Sequence, residues 1–231
     1  MNLSASDWFR HGTTIFAGML GISAVWMLSV ELIRPSLPYF PDDRAAVEAA
    51  AAHRSAAGVA ASIGLIRGDL WADYAITLAP AMSGEIRGAI ASTAPEALDV
   101  ARAAAVRAAE LAPHDARAWL LLAAMDARLD FLNHKVAGPL KMSYYTGPNE
   151  IALIPLRILI ATRSDAITDG DLQVLVGGEI RTIITRKPES KPLILAAYRD
   201  ALPKGKSFIE AAVADFDPAL LAAMRATGQP R

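Results

Sequence analysis

Four histidines, His11, His53, His114 and His134, are the side chains best suited to proton transfer or metal binding near neutral pH, and they are scattered along the chain. None has a metal-ligating neighbour three or four residues on. Asp126, Asp130 and His134 come nearest, stepping by four, but they share a face only if a helix continues through Phe131-Leu132-Asn133. A solvated helix face is the better reading. The chain has no cysteine, which excludes disulfides, thiolate zinc sites and cysteine nucleophiles. Gly177-Gly178 lacks the frame of a phosphate-binding loop and reads as a helix-packing contact. No residue is therefore assigned a catalytic or metal-binding role, and neither an enzyme activity nor a cofactor is expected. A formal net charge of −1 also argues against nucleic acid as the main partner, since counterion release needs a dense basic face.

One charged group remains to be weighed. Arg181, Arg186, Lys187, Lys191, Lys204 and Lys206 form a basic cluster thinly offset by Glu179 and Glu189. It suits anionic lipid headgroups or an acidic polymer, but an ordinary solvated face is the better reading.

The elements that would position such groups begin with an apolar segment. Gly12 to Val30 carries no charge and is bracketed by Arg10 and Glu31. Nineteen residues at about 1.5 Å each cover roughly the 30 Å hydrocarbon core of a bilayer. A cleaved signal peptide is the competing reading. The run is long for one, Asp7 precedes it and no small-residue cleavage site closes it. The organisation expected is a short tail over 1–11, a transmembrane helix over 12–33, a proline-rich linker over 34–41 and a helical domain over 42–231. Trp8 and Trp26 suit the two membrane interfaces, or Trp26 faces a neighbouring helix. Ala17 and Gly21 form a small-xxx-small pair. The positive-inside count is nearly tied, and a short tail before a large C-terminal domain points to a body outside the cytoplasm.

Beyond the linker the composition is alanine-rich and only 6% aromatic, which suits closely packed helices rather than a β-sandwich. Asp42 or Asp43 caps a predicted helix through VEAAAAHRSAAGVAASIGLI, broken at Gly68-Asp69 and resumed over Asp69 to Ala79. Pro80 to Ser92 is ambiguous. Thr93-Ala94-Pro95-Glu96 reads as a capping box before a helix with Ala101, Ala105 and Ala108 on its packing face. Asp115 caps a second helix with Trp119, Leu122, Ala123 and Met125 inward. A third runs from Val136 to Tyr145, and the next is kinked at Pro155 or begins near Ile154. Helices follow over Asp169 to Arg186 and from Ser190 to Leu202. Ser207-x-x-Glu210 reads as another capping box, and Asp217-Pro218 opens the last helix. The fold class expected is all-α, built of antiparallel helix pairs.

At the junction AELAPHDARAWLLLA the pattern resembles a degenerate tetratricopeptide repeat: Ala101, Ala105, Ala108 and Pro113 fit the second helix and turn, and Trp119, Leu122 and Ala123 the next first helix. The resemblance implies a right-handed helical array whose concave face carries Arg117, Leu120, Leu121, Ala124 and Arg128, a stripe suited to an extended peptide or a helix with an acidic end, although packing of a C-terminal helix of the chain itself is the better reading. The stretch LKMSYYTGPNEIALIPLRILIA resembles small membrane-anchored repeat proteins of bacterial surface-polysaccharide assembly. Together these imply a membrane-tethered scaffold in a bacterial inner membrane, with a periplasmic body docking a protein partner. The alternative is an accessory subunit of a membrane enzyme complex, held through its transmembrane helix.

Overall fold

The longest element is the first. Helix α1, Ala5–Ile33, contains the predicted apolar run and is long and apolar enough to cross a membrane. The computed structural model describes residues 5–36, 40, 44–78, 95–130, 132 and 134–228, and every regular element among them is helical. The order continues α2 Arg44–Ala52, α3 Arg54–Ile63, α4 Gly68–Leu78, α5 Pro95–Leu111, α6 Ala116–Leu129 and α7 Ala137–Thr146. Then come α8 Ile154–Thr162, α9 Gly170–Arg186, α10 Lys191–Asp200, α11 Pro203–Ala214 and α12 Pro218–Gly228. The all-α expectation holds.

Local chemistry sets most helix starts. Asp115, Asp169 and Asp217 each accept a backbone amide at the head of α6, α9 and α12, at 2.9, 3.0 and 2.9 Å from Arg117, Leu172 and Leu220. Prolines occupy the first turns of α5, α8, α10, α11 and α12, where the missing amide costs nothing. Pro155 therefore opens α8 rather than kinking it. Three boundaries differ from expectation. The helix predicted from Asp42 or Asp43 is two helices separated at His53. The break before α4 is the turn Gly64–Arg67, and Gly68 already belongs to the helix. Ser207 lies inside α11, donating to the Pro203 carbonyl at 3.1 Å, so it caps nothing. The expected cap at Asp42 or Asp43, the capping box at Thr93 and the segment Pro80 to Ser92 lie outside the described residues.

Small side chains govern the packing of the central helices. Ala101, Ala105 and Ala108 are fully buried on α5, which packs on α4 and on α6. At the head of α4 the approach is closest: a Cβ on Gly68 would lie 2.7 Å from the Ala108 carbonyl oxygen, so only glycine fits. From α2 to α7 consecutive helices pack on one another. From α8 onward the contacts also join helices that are not consecutive in sequence. This nine-residue helix touches α6, α7, α9, α10 and α11, and six of its residues, Leu156, Arg157, Ile158, Ile160, Ala161 and Thr162, are buried. The Leu202 amide donates to the Thr162 carbonyl at 3.0 Å, and Gly205 packs on that same peptide with no room for a methyl. Helices α9, α10 and α11 thus converge on one central helix, unlike a repeat array in which each unit meets only its neighbours.

Candidate functional site

The stripe expected to receive a partner is largely inside the protein. Leu120 and Leu121 are fully buried and Ala124 is 4% exposed. Helix α6 is packed by α4, α5, α7 and α8, which leaves those three side chains no open face. The sequence carried the signal: Ala118 to Met125 is apolar at all eight positions, and a helix apolar all round is a buried one. Arg117 does remain exposed, its Nε donating to the Asp115 carboxylate at 3.1 Å. Arg128 is half-buried, and burial depresses its pKa. Trp119 is half-buried against the core, its Nε1 donating to the Pro113 carbonyl at 2.8 Å. Gly147 packs on Ala116, so the turn after α7 adjoins the head of α6. Tyr144 points inward there, whereas Tyr145 and Ile151 are exposed.

Four members of the basic cluster are engaged by their own surroundings. Lys191 pairs with Asp217 and Lys204 with Asp165, each at 2.7 Å. The Arg181 guanidinium lies 4.8 Å from the Phe216 ring centre and Lys206 5.5 Å from that of Tyr198. Arg186 sits in the last turn of α9, where a cation complements the helix dipole, and Lys187 follows it as the C-cap. The series Asp126, Asp130, His134 is not on one helix, because α6 ends at Leu129. Asp126 is buried and accepts from Arg102, Asp130 caps the helix end, and His134 opens a 3₁₀ turn.

Two ionic clusters lie elsewhere. The first is buried among α7, α8 and α9. The Arg157 side chain is completely enclosed; its Nε donates to Ser143 Oγ at 3.1 Å and Nη1 to Glu179 Oε1 at 3.3 Å. Nη2 donates to the carbonyls of Ser143 and of Gly147, the latter at 2.9 Å. Tyr144 donates its hydroxyl to Glu179 Oε2 at 2.7 Å and lays its ring 4.6 Å from the guanidinium. Burial pushes the Glu179 carboxyl up to about 7, against the pull of Tyr144 and Arg157. Burial, with the Glu179 charge, raises the Tyr144 phenol as well. Enclosed in this way, the group is a joint between three helices. Its one sequence signal was a lone Arg in the apolar run IALIPLRILIA.

The second cluster ties α1 to the body. Trp26 Nε1 donates to the Ile63 carbonyl at 3.0 Å, which seats the indole against the end of α3. Val30 packs with Ala60, Ala61 and Leu70 in a small separate core. Just beyond α1, Arg34 donates to Asp73 and to Asp69, each at 2.8 Å. Arg67 donates to Asp69 at 2.6 Å and pairs with Glu31. Burial alone would raise Asp69, but Arg67 and Arg34 hold it below the ordinary carboxylate value. At Asp73 burial wins over Arg34 and the pKa is raised. The start of the expected linker is thus clamped: Arg34 is ion-paired and Pro35 is buried.

Above this clamp α1 stands clear of the body. Ile15, Phe16, Met19, Ile22 and Val25 are all more than half exposed. Gly18, Gly21, Ile22, Val25 and Trp26 line an open apolar groove of about 500 Å³. The site with the clearest geometry is therefore an apolar rod fixed at one end to a helical body. Comparison of the chain with family models, with curated proteins and with solved structures finds no match.

Proposed function

We propose that this protein is a single-pass, membrane-tethered, non-enzymatic scaffold whose helical body binds a protein partner. One observation carries the reading: α1 exposes an uncharged, largely apolar surface from Gly12 to Val25 and is bolted to the body by its last two turns. An apolar patch of that extent needs a cover, and a bilayer matches its length. With most of the α6 stripe in the core, the partner contact is assigned to the end of the body where Arg117, Tyr145 and Ile151 remain exposed. Aromatic and arginine side chains on a rim of this kind are the usual anchors of protein interfaces. Following the resemblance of residues 140–161, the partner is sought in bacterial envelope or surface-polysaccharide assembly, with the body on the periplasmic side of the inner membrane. The test is capture of the native membrane complex followed by mass spectrometry. Arg117→Glu with Tyr145→Ala should abolish capture without unfolding the chain; unchanged capture would exclude this end of the body.

A second reading rests on the groove along α1. Gly18 and Gly21 let another helix approach closely, as in an accessory subunit held within a membrane enzyme complex. Ala17→Leu with Gly21→Leu would then disrupt co-purification while the changes at Arg117 and Tyr145 would not.

A further inference from the structure

The turn between α3 and α4 is exposed and apolar where a surface turn in water is ordinarily polar. Leu65 and Ile66 are 63% and 69% exposed. Leu65 also has φ of 24°, at the edge of the left-handed region that glycine and asparagine fill far more easily. An exposed leucine held in that conformation calls for a surrounding that rewards its side chain.

The position of the turn supplies one. Ile63 meets Trp26 through the indole hydrogen bond, and Arg67 meets Glu31 through an ion pair. Residues 63 to 67 therefore run alongside α1 from the level of Trp26 to that of Glu31, a drop of about 7.5 Å for five helical residues. The uncharged run of α1 extends to Val30. A hydrocarbon core of about 30 Å placed over that run reaches the depth of Leu65 and Ile66. Arg67, Glu31, Arg34 and Asp69 then form the polar border just beneath, where headgroups and water begin.

We propose that the α3–α4 turn is a second membrane contact, its Leu65 and Ile66 inserted at the boundary between headgroups and acyl chains beside α1. The occupant is lipid because the turn meets α1 at Trp26 and Glu31, the stretch in which Met27 and Leu28 of α1 are likewise exposed and apolar. This deepens the tether reading and rests on α1 spanning the bilayer.

The absence of cysteine makes the test direct. Leu65→Cys, Ile66→Cys, Leu20→Cys and Val174→Cys, each in the full chain, are labelled with an environment-sensitive fluorophore. They are reconstituted singly in nanodiscs of phosphatidylcholine with and without a nitroxide on its acyl chain, placed in separate samples near the glycerol end, to reach positions 65 and 66, and near the terminal methyl, to reach position 20. Positions 20, 65 and 66 should show blue-shifted emission and loss of intensity with the nitroxide lipid, while position 174 shows neither. Quenching at 20 but water-like emission at 65 and 66 would overturn the inserted turn and leave the tether standing. No quenching at 20 would overturn both. A blue shift at 65 and 66 without nitroxide quenching would mean that protein, rather than lipid, covers the turn, and would also overturn the proposal.

Discussion

The two ionic clusters hold helices together in opposite ways. Around Arg157 the charges are sealed among α7, α8 and α9, and each nitrogen of the guanidinium donates to a specific oxygen. Around Arg34 and Arg67 the charges sit at the rim of a small apolar core, all partly in water except the buried Asp73. Enclosure makes the first group costly to damage, because each charge depends on its partner for solvation. Exposure makes the second cheap to lose pair by pair. There the apolar contacts of Val30 and the Trp26 hydrogen bond carry the cohesion, and the ions fix direction. Similar residue types thus serve as a joint in one place and as a guide in the other.

The largest test of that contrast is Arg157→Ala. It should destabilise the full chain in detergent by about 3–5 kcal/mol, since Glu179 is left buried without its counter-charge. Urea unfolding measures it, and a loss under about 1 kcal/mol would mean the joint is wetter than its geometry indicates. Next comes pH. With its pKa near 7, folded Glu179 retains a proton that the unfolded chain has released above its ordinary value of 4.5. Stability should therefore fall as pH rises from about 4.5 to 7 and level off above, a total on the order of 3 kcal/mol, and Glu179→Gln should flatten the slope. At the junction Asp69 is shifted down and Asp73 up, so their contributions oppose one another and little net slope is expected.

Smaller effects belong to the rim. Arg34→Ala should cost about 1 kcal/mol. Spin labels on α1 and α4 should at the same time report a broader distance distribution, and an unchanged distribution would assign direction to the apolar contacts alone. Last, raising salt from about 0.1 to 1 M shortens the screening length from about 10 to 3 Å. This should reproduce part of the Arg34→Ala broadening and leave the Arg157 joint unaffected; sensitivity of both clusters would erase the distinction.

Chemistry confined to one turn of chain was legible in the sequence. Asp115, Asp169 and Asp217 cap the helices that follow them, and Pro155 marks the start of α8, because a cap or a proline acts on its own neighbours. Where two local signals competed, the reading failed. Ser207 and Glu210 have capping-box spacing, but Pro203 starts α11 a turn earlier. Glu210 instead accepts from Tyr198 and Arg225. The α6 stripe failed for a different reason. Repeat register assumes one open face, and whether that face is open depends on α8, which lies beyond the matched residues. Arg157 is the extreme case: its partners come from residues 143–147 and from Glu179, and no spacing rule links them. The tie between Arg34 and α4 spans 35 and 39 residues, which leaves the chain after α1 looking like a free linker.

Because α1 joins the body through a core and a clamp, an anchor of the proposed kind would behave as a mast and not as a leash. A leashed domain would sample every orientation within reach of the bilayer and meet companions from any side. With α1 in a bilayer, rotation about the membrane normal would carry the whole molecule with it, and the height of each exposed side chain would be set by its distance from Trp26. Encounters with other membrane residents would then become a search in two dimensions, with only lateral position and heading left to match.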